Sequence, residues 1–374
     1  MYKILTLVGT RPELIKLSSI IPLFDKNFRH LLVHSGQNYD YNLNKIFFKD
    51  LQIRKPDYFL NVKSNILAIQ ISNIIKKTDE ILEKTKPDAL LVYGDTNTSL
   101  GIIVAKRKKI PIFHMEAGNR CFDQRVPEEL NRKIADHLSD VNITISKQAK
   151  EYLISEGLKP EFVFQLGSPM REVIDKNLNN IEKSKIIEKL NLKKKNYIIV
   201  SLHREENVDR FEILKNIIDQ LILISNKLKI KVIISTHPRT FANIKKFKIN
   251  INTKKNLIFS KPFGFFDYCK LQINSYCTIS DSGTIFEEAS ILNFPAITIR
   301  ASHERPEGIE SGTVVISSDK NKDIFNSIKI ARNLKKNSSK FGYVDAYHMH
   351  DVSKKMVNLV ESYISIVNKK IWYK

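Results

Sequence analysis

Short apolar runs alternate with amphipathic stretches along almost the whole chain. In the first half, runs at residues 4–8, 31–34, 58–62, 89–93, 112–115, 142–145 and 162–166 predict strands. In the second half they fall at 197–202, 231–235, 257–259, 277–280, 296–299 and 314–316. Between them lie helix-period patterns at 66–83, 211–228, 284–292, 322–334 and 352–367. The first has an apolar face of Leu67, Ile71, Ile74, Ile75, Ile81 and Leu82. Continuous Val, Ile and Leu runs belong to strands buried on both faces, as in parallel sheets. Strand–helix alternation over such a length predicts a doubly wound α/β fold. The alternation pauses at 172–196, a polar helical stretch containing the lysine run 193–195, and the domain boundary is placed there. Two open α/β sheets would then present their strand C-termini to a crevice, where such folds bind ligands.

The length of 374 residues suits two domains. With 42% hydrophobic and 27% charged residues the composition is that of a globular protein. No apolar run approaches the roughly 18 residues needed to span a bilayer. The opening residues turn charged after one short apolar run, which reads as a first strand and not a signal peptide. Cys121, Cys269 and Cys277 form no CxxC and no even framework, as expected of a protein in a reducing cytoplasm.

The formal charge of +21 has two readings. One is a nucleic-acid or membrane partner. The other is lysine spread over a solvated surface. The lysines are distributed, their runs are short, and no nucleic-acid signature accompanies them, so neither partner is expected. An anionic substrate would still be drawn in by the field.

The twelve glycines form neither GxGxxG nor GxxxxGK[ST], and GxSxG and HExxH are absent. His348 and His350 make an HxH without evident partners and read as a surface pair. Chemistry without cofactor or metal, on a small anionic substrate, is therefore expected.

Five segments put polar groups where a strand end meets a helix. Gly9-Thr10-Arg11-Pro12-Glu13, with Lys16 beyond, combines a tight turn with cations near a helix N-terminus. Gly94-Asp95-Thr96-Asn97 offers a carboxylate, or an Asp/Thr helix cap. His114-Met115-Glu116-Ala117-Gly118-Asn119-Arg120 leads on to Pro127-Glu128-Glu129. A glutamate ending a buried strand is costly unless it is paired or used, whereas Glu128 also suits the start of a helix. Ser201-Leu202-His203-Arg204-Glu205-Glu206-Asn207 supplies a histidine, a proton carrier near neutral pH or a phosphate contact. Asp281-Ser282-Gly283-Thr284 opens a helix carrying Glu287 and Glu288, with Arg300 and His303-Glu304-Arg305-Pro306-Glu307 following. Ser-Gly at a helix N-terminus suits a phosphate. Each segment alone also reads as an ordinary turn or cap; together they describe a site.

The ordered set GTRPE…K, GDTNT, HMEAG…RVPEE, HREEN, DSGTIFEE and HERPEG resembles the non-hydrolysing UDP-N-acetylglucosamine 2-epimerase family over nearly the whole chain. The resemblance implies GT-B architecture: an N-terminal Rossmann-like domain (1–170), a UDP-binding C-terminal one (171–350), and a last helix (351–374) returning to the first. It further implies a homodimer. The form Gly118-Asn119-Arg120-Cys121-Phe122-Asp123-Gln124-Arg125-Val126-Pro127-Glu128-Glu129 looks like the branch acting on 6-deoxy-L-sugars. That branch converts UDP-2-acetamido-2,6-dideoxy-L-talose to UDP-N-acetyl-L-fucosamine, a capsule and O-antigen precursor. The family's regulatory GQH reads Gly36-Gln37-Asn38 here, a departure at the segment tied to activation by a second UDP-sugar.

The C2–H of such a sugar is not next to a carbonyl. Loss of UDP makes the anomeric carbon oxocarbenium-like and the C2–H acidic, giving a 2-acetamidoglycal. Re-addition with a proton on the opposite face inverts C2, so two acid/base groups are needed. The resemblance assigns this work to Asp95, Glu116, Glu128 and His203, with Asp95 and Glu128 as the proton-transfer pair. It gives Arg11, Lys16 and His203 the leaving diphosphate. Ser282, Gly283 and Thr284 take its phosphates, Glu288 the ribose, Arg300 a place near the nucleotide, and Tyr268 a place near the uracil or in the core. The alternatives are UDP-N-acetylglucosamine 2-epimerisation to UDP-N-acetylmannosamine, hydrolysis to free sugar and UDP, and GT-B glycosyl transfer.

Overall fold

The strand runs form two separate parallel sheets. The structure is a computed structural model that describes residues 1–37, 48, 50–251, 256–317, 324–337 and 341–374. Residue Asn38 of the GQN segment and the first two residues of the helix expected at 322–334 lie outside that set. The chain divides into unit 1, Met1–Lys176 with Asp345–Lys374, and unit 2, Asn177–Val344.

Unit 1 contains β1 (Lys3–Val8), β2 (Arg29–His34), β3 (Tyr58–Phe59), β4 (Ala89–Tyr93), β5 (Ile112–Ala117), β6 (Val141–Thr144) and β7 (Val163–Gln165). Their order is β3-β2-β1-β4-β5-β6-β7. Leu5, Leu7, Val33, Leu90, Val92 and Ile112 form one face of this sheet's core, under Ile74, Ile81 and Leu82 of the helix Leu67–Thr85. Unit 2 contains β8 (Tyr197–Ser201), β9 (Lys231–Ser235), β10 (Leu257–Ser260), β11 (Cys277–Ser280), β12 (Ala296–Thr298) and β13 (Val315–Ile316), in the order β10-β9-β8-β11-β12-β13. Ile198, Val200, Val232, Ile234 and Ile279 pack there against Ile217, Leu221 and Ile224 of the helix Phe211–Leu228. The described strand pairs are parallel in both sheets. The crossovers that the described residues trace in full carry helices, the usual connection between parallel strands.

Two readings of the pattern need correction. Leu67 is 61% exposed, and the buried stripe of its helix instead includes Gln70 and Thr78. Gln70 is held by polar contacts, donating to the Gln37 carbonyl and accepting from Asn97. The strand expected at 58–62 stops at Phe59, since Asn61 takes a φ of +53°, outside the strand region. The last helix, Val352–Lys370, packs against the helix Ile21–Asn27 within unit 1.

Each sheet reverses its strand order once. In unit 1 the reversal lies between β1 and β4, and in unit 2 between β8 and β11. Open α/β sheets bind ligands at such switch points, beyond the strand C-termini.

Candidate active site

The ends of β1, β4 and β5 and the helices that follow them carry the candidate charged groups of unit 1, most of them built into networks. Glu13, in the first turn of the helix Arg11–Leu17, is almost fully buried. Its carboxylate accepts from the Gly9 N–H (2.7 Å) and from the Thr10 and Thr96 hydroxyls (2.9 Å each). It thereby ties the turn after β1 to the turn after β4. Burial pushes its carboxyl up to about 7 against those hydrogen bonds, with Asp95 adding repulsion.

Lys16 is also buried, and its Nζ lies 2.5 Å from Glu116 Oε2. Glu116 stands at a bulge: the β5–β6 register slips between Met115 and Ala117, and Glu116 has a φ of +65°. A bulge re-aims a side chain, and here it allows a glutamate at the end of a buried strand to meet a lysine. A left-handed non-glycine residue is strained, and such strain gathers at functional sites.

Asp95 accepts a hydrogen bond from Arg132 Nε at 2.8 Å. Arg132 reaches Glu129 with Nη1 at 2.8 Å, and Glu129 accepts the backbone N–H groups of Cys121 and Phe122 at 3.1 Å. Asn131, its neighbour on the helix Pro127–Leu138, donates to the Asp95 carbonyl and to Asn97. Glu128 lies in the first turn of that helix and is half-buried, as is Arg11 at the start of its own helix. Phe122 is 68% exposed, with a φ of +55° and its ring edge-on to Tyr152.

In unit 2 the organising group is Asp281, at the end of β11 and fully buried. It accepts the backbone N–H groups of His203 and Arg204 (2.9 Å each) and an amide proton of Asn207 (3.1 Å). His203 Nδ1 lies 2.9 Å from the same carboxylate. Burial alone would raise Asp281, but His203 and the donated hydrogen bonds outweigh it and bring the carboxyl down to about 2. With Nδ1 directed at Asp281, the Nε2 atom is the ring nitrogen left for another partner.

Ser282 and Thr284 exchange a hydroxyl hydrogen bond of 3.0 Å at the start of the helix Ile285–Leu292. Gly283 lies against the Arg300–Glu304 pair: a Cβ there would come within 2.4 Å of Glu304 Oε1. Arg300 Nη1 donates to that oxygen at 3.0 Å. Glu288 accepts from Gln272 Nε2 at 2.5 Å. Tyr268 packs against the Tyr197–Ile199–Leu271 cluster, and burial, with Glu288 nearby, raises its phenol.

Thus Arg11, Lys16, Asp95, Glu116 and Glu128 belong to unit 1, and His203, Tyr268, Ser282, Gly283, Thr284, Glu288 and Arg300 to unit 2. The sequence reading missed the groups that hold them: Arg132, Asp281, Gln272, and Glu13 as a buried tie. Arg132 carried a signal, standing three residues after Glu129 on one helix face. His348, read as half of a surface pair, receives Arg171 Nη1 at 3.0 Å. Among the described residues no helix is long and apolar enough to cross a membrane, and no cluster of three or more His, Cys, Asp or Glu could hold a metal.

Comparison with known proteins agrees with the fold and the motifs. The family model for UDP-N-acetylglucosamine 2-epimerase matches residues 24–361. A solved structure from Rickettsia bellii, described as UDP-N-acetylglucosamine 2-epimerase, is 48% identical with a TM-score of 0.92 and full coverage of both chains. The Methanocaldococcus jannaschii enzyme in complex with UDP-GlcNAc and UDP is 34% identical, with a TM-score of 0.88 over 96% of this chain and 99% of that one. A UDP-N-acetylglucosamine 2-epimerase of Methanococcus maripaludis is 37% identical over 88% of this chain and 91% of its own. A Pseudomonas aeruginosa UDP-2,3-diacetamido-2,3-dideoxy-D-glucuronate 2-epimerase is 31% identical over 84% and 88%. The chain belongs to the UDP-N-acetylglucosamine 2-epimerase family. It is an isomerase built from two parallel-sheet α/β units of the GT-B-like kind.

Proposed function

We propose that the enzyme inverts C2 of a UDP-2-acetamido sugar without hydrolysing it. The C1–O bond breaks to release UDP, and a carboxylate takes the C2 proton to leave a 2-acetamidoglycal. UDP then re-adds at C1 while a second group protonates C2 on the opposite face. Asp95 and Glu128 are the proton-transfer pair, and Glu116, with Lys16 against it, shapes the site. Arg11, Lys16 and His203 take the charge of the leaving diphosphate, Ser282–Thr284 its phosphates, and Glu288 the ribose. Tyr268 and Arg300 flank the nucleotide. The observation that carries this reading is the set of separately braced carboxylates at the β1, β4 and β5 tips: acid–base work on two faces needs several.

For the sugar, we infer UDP-2-acetamido-2,6-dideoxy-L-talose, giving UDP-N-acetyl-L-fucosamine for capsule or O-antigen synthesis. The segment 119–126 supports it: Phe122 and Cys121 would favour a C6 methyl over a hydroxymethyl group. The second reading, UDP-N-acetylglucosamine to UDP-N-acetylmannosamine, is favoured by the names of relatives such as those of Rickettsia bellii and Methanococcus maripaludis. Proton NMR in D₂O with each sugar nucleotide in a parallel tube decides between them. Deuterium at C2 with conversion of the 6-deoxy sugar alone supports the first; exchange in UDP-N-acetylglucosamine alone overturns it. The same reading includes a cytoplasmic homodimer, which sedimentation at working concentration and cell fractionation check.

A further inference from the structure

Beneath the loops that carry Asp95 and Glu116 lies a histidine that the reaction scheme leaves unused. His114 is on β5, two residues before Glu116, and is 1% exposed. Its Nε2 lies 2.9 Å from the Gly94 carbonyl oxygen, on the residue before Asp95. Its Nδ1 lies 2.9 Å from Asp136 Oδ1. Asp136 is itself fully buried, receives the Gly118 N–H at 3.2 Å on each oxygen, and takes Arg120 Nη1 at 2.6 Å. A carbonyl can only accept, and the Asp136 carboxylate, fed by a guanidinium and a backbone N–H, turns acceptor oxygens toward its donors. Each ring nitrogen therefore has an acceptor oxygen 2.9 Å away, Asp136 lying off the line of an ideal hydrogen bond from Nδ1, and a proton on each nitrogen would engage both.

We propose that His114 is a positioning residue, whose imidazolium joins the Gly94 carbonyl to Asp136 and so holds the Asp95 turn and the Glu116 bulge in fixed register. The proposal rests on the epimerase reading only in taking Asp95 and Glu116 as working groups. The charged groups around the ring agree with it. Asp136 faces it from the helix Pro127–Leu138, Asp95 from the turn after β4, and Arg120 lies across the Asp136 carboxylate. Burial works against the charged ring, but Asp136 and the Gly94 carbonyl outweigh it and raise its pKa. The charged ring, and the link it makes, is therefore lost as pH rises through that raised value. A second constraint acts on the same carboxylate. Gly118 has a φ of +80°, and a Cβ there would come within 2.3 Å of the Ala149 carbonyl oxygen, so the backbone donating to Asp136 has little room to shift.

The test uses the full chain and two variants that separate the contacts. In His114→Gln the amide can reach where Nε2 was, toward Gly94; in His114→Asn it can reach where Nδ1 was, toward Asp136. Both should lower kcat about 10–100-fold with KM for the UDP-sugar changed less than twofold, and His114→Gln should keep the more activity. The alkaline limb of the wild-type kcat profile should disappear in both. Nitrogen-15 NMR of the histidine-labelled wild type at pH 7 should show both His114 nitrogens protonated. A single-proton, neutral ring would overturn the proposal, as would folded variants with wild-type kcat. The NMR result stands even where no tested sugar turns over, so a failure of the substrate reading is distinguishable from a failure of this one.

Discussion

The two sheets place the proposed functional groups at the same topological position and equip it in different ways. At the β1/β4 reversal, three carboxylates are clasped: Glu116 by Lys16, Asp95 by Arg132, and Glu13 by three donors. At the β8/β11 reversal one buried carboxylate, Asp281, braces the loop bearing His203, and the neighbouring turn offers small hydroxyls and a glycine at a helix N-terminus. The difference follows the tasks proposed for them. Groups that exchange protons need a fixed position and a tuned pKa. A bound diphosphate needs backbone donors, a helix dipole and room.

The largest expected effect breaks one half and spares the other. Asp95→Asn and Glu128→Gln should each lower turnover about 10²–10⁴-fold while UDP still binds, as measured by calorimetry. Loss of UDP binding in either variant would mean that the division of labour is wrong. Glu13→Gln sharpens the same contrast through pH. The Glu13 carboxyl titrates near 7 when folded and near 4.5 when unfolded. A folded pKa above the unfolded one gives stability that is present at low pH and lost as pH rises through about 7. The loss is on the order of 3 kcal/mol. Thermal melts of the wild type should fall across that window, and those of Glu13→Gln should stay flatter; parallel curves would refute the assignment.

Much of this was legible in the sequence, because buried parallel strands are continuous apolar runs that stand out from amphipathic helices. The runs at 89–93, 231–235 and 277–280 became β4, β9 and β11 without change of boundary. The face of the helix Leu67–Thr85 was misread because Gln70 is buried by hydrogen bonds to distant residues, which hydropathy does not register. The bulge at Glu116 was hidden for a similar reason. A one-residue register slip leaves no mark in composition, although it decides where the carboxylate points. Arg132 and Asp281 act on partners 37 and 78 residues away, a closeness that only the fold creates.

Asp281→Asn tests how far the His203 loop depends on the Asp281 brace. The carboxyl sits near 2 when folded, against 3.8 unfolded. A depressed folded pKa gives stability that is present above about 4 and lost as pH falls toward 2, about 2 kcal/mol in all. The variant should lose that steep acid limb. It should also weaken UDP binding more than it weakens any property of the β1/β4 half, because the His203 and Arg204 N–H groups lose the charge they point to. An unchanged acid limb would show that the His203 loop is held by other means.

The smallest effect is the most selective. In Gly283→Ala the new Cβ would meet Glu304 Oε1 at 2.4 Å and would stand 3.5 Å from Arg300 Nη1. Gly283 has no positive φ in this structure, so the alanine brings no backbone strain. The clash is with the end of a flexible side chain, which can turn away. Stability should therefore change by less than about 0.5 kcal/mol, in the range of a tolerated surface change. The Arg300–Glu304 pair, however, must shift to make room, and the turn proposed for the phosphates is narrowed by a methyl group. UDP should bind several-fold more weakly, and C2 exchange measured at saturating substrate should stay close to wild type. A fall in saturated exchange with UDP affinity intact would place Gly283 in the chemical step, and the contrast between a proton-transfer half and a nucleotide half would no longer hold.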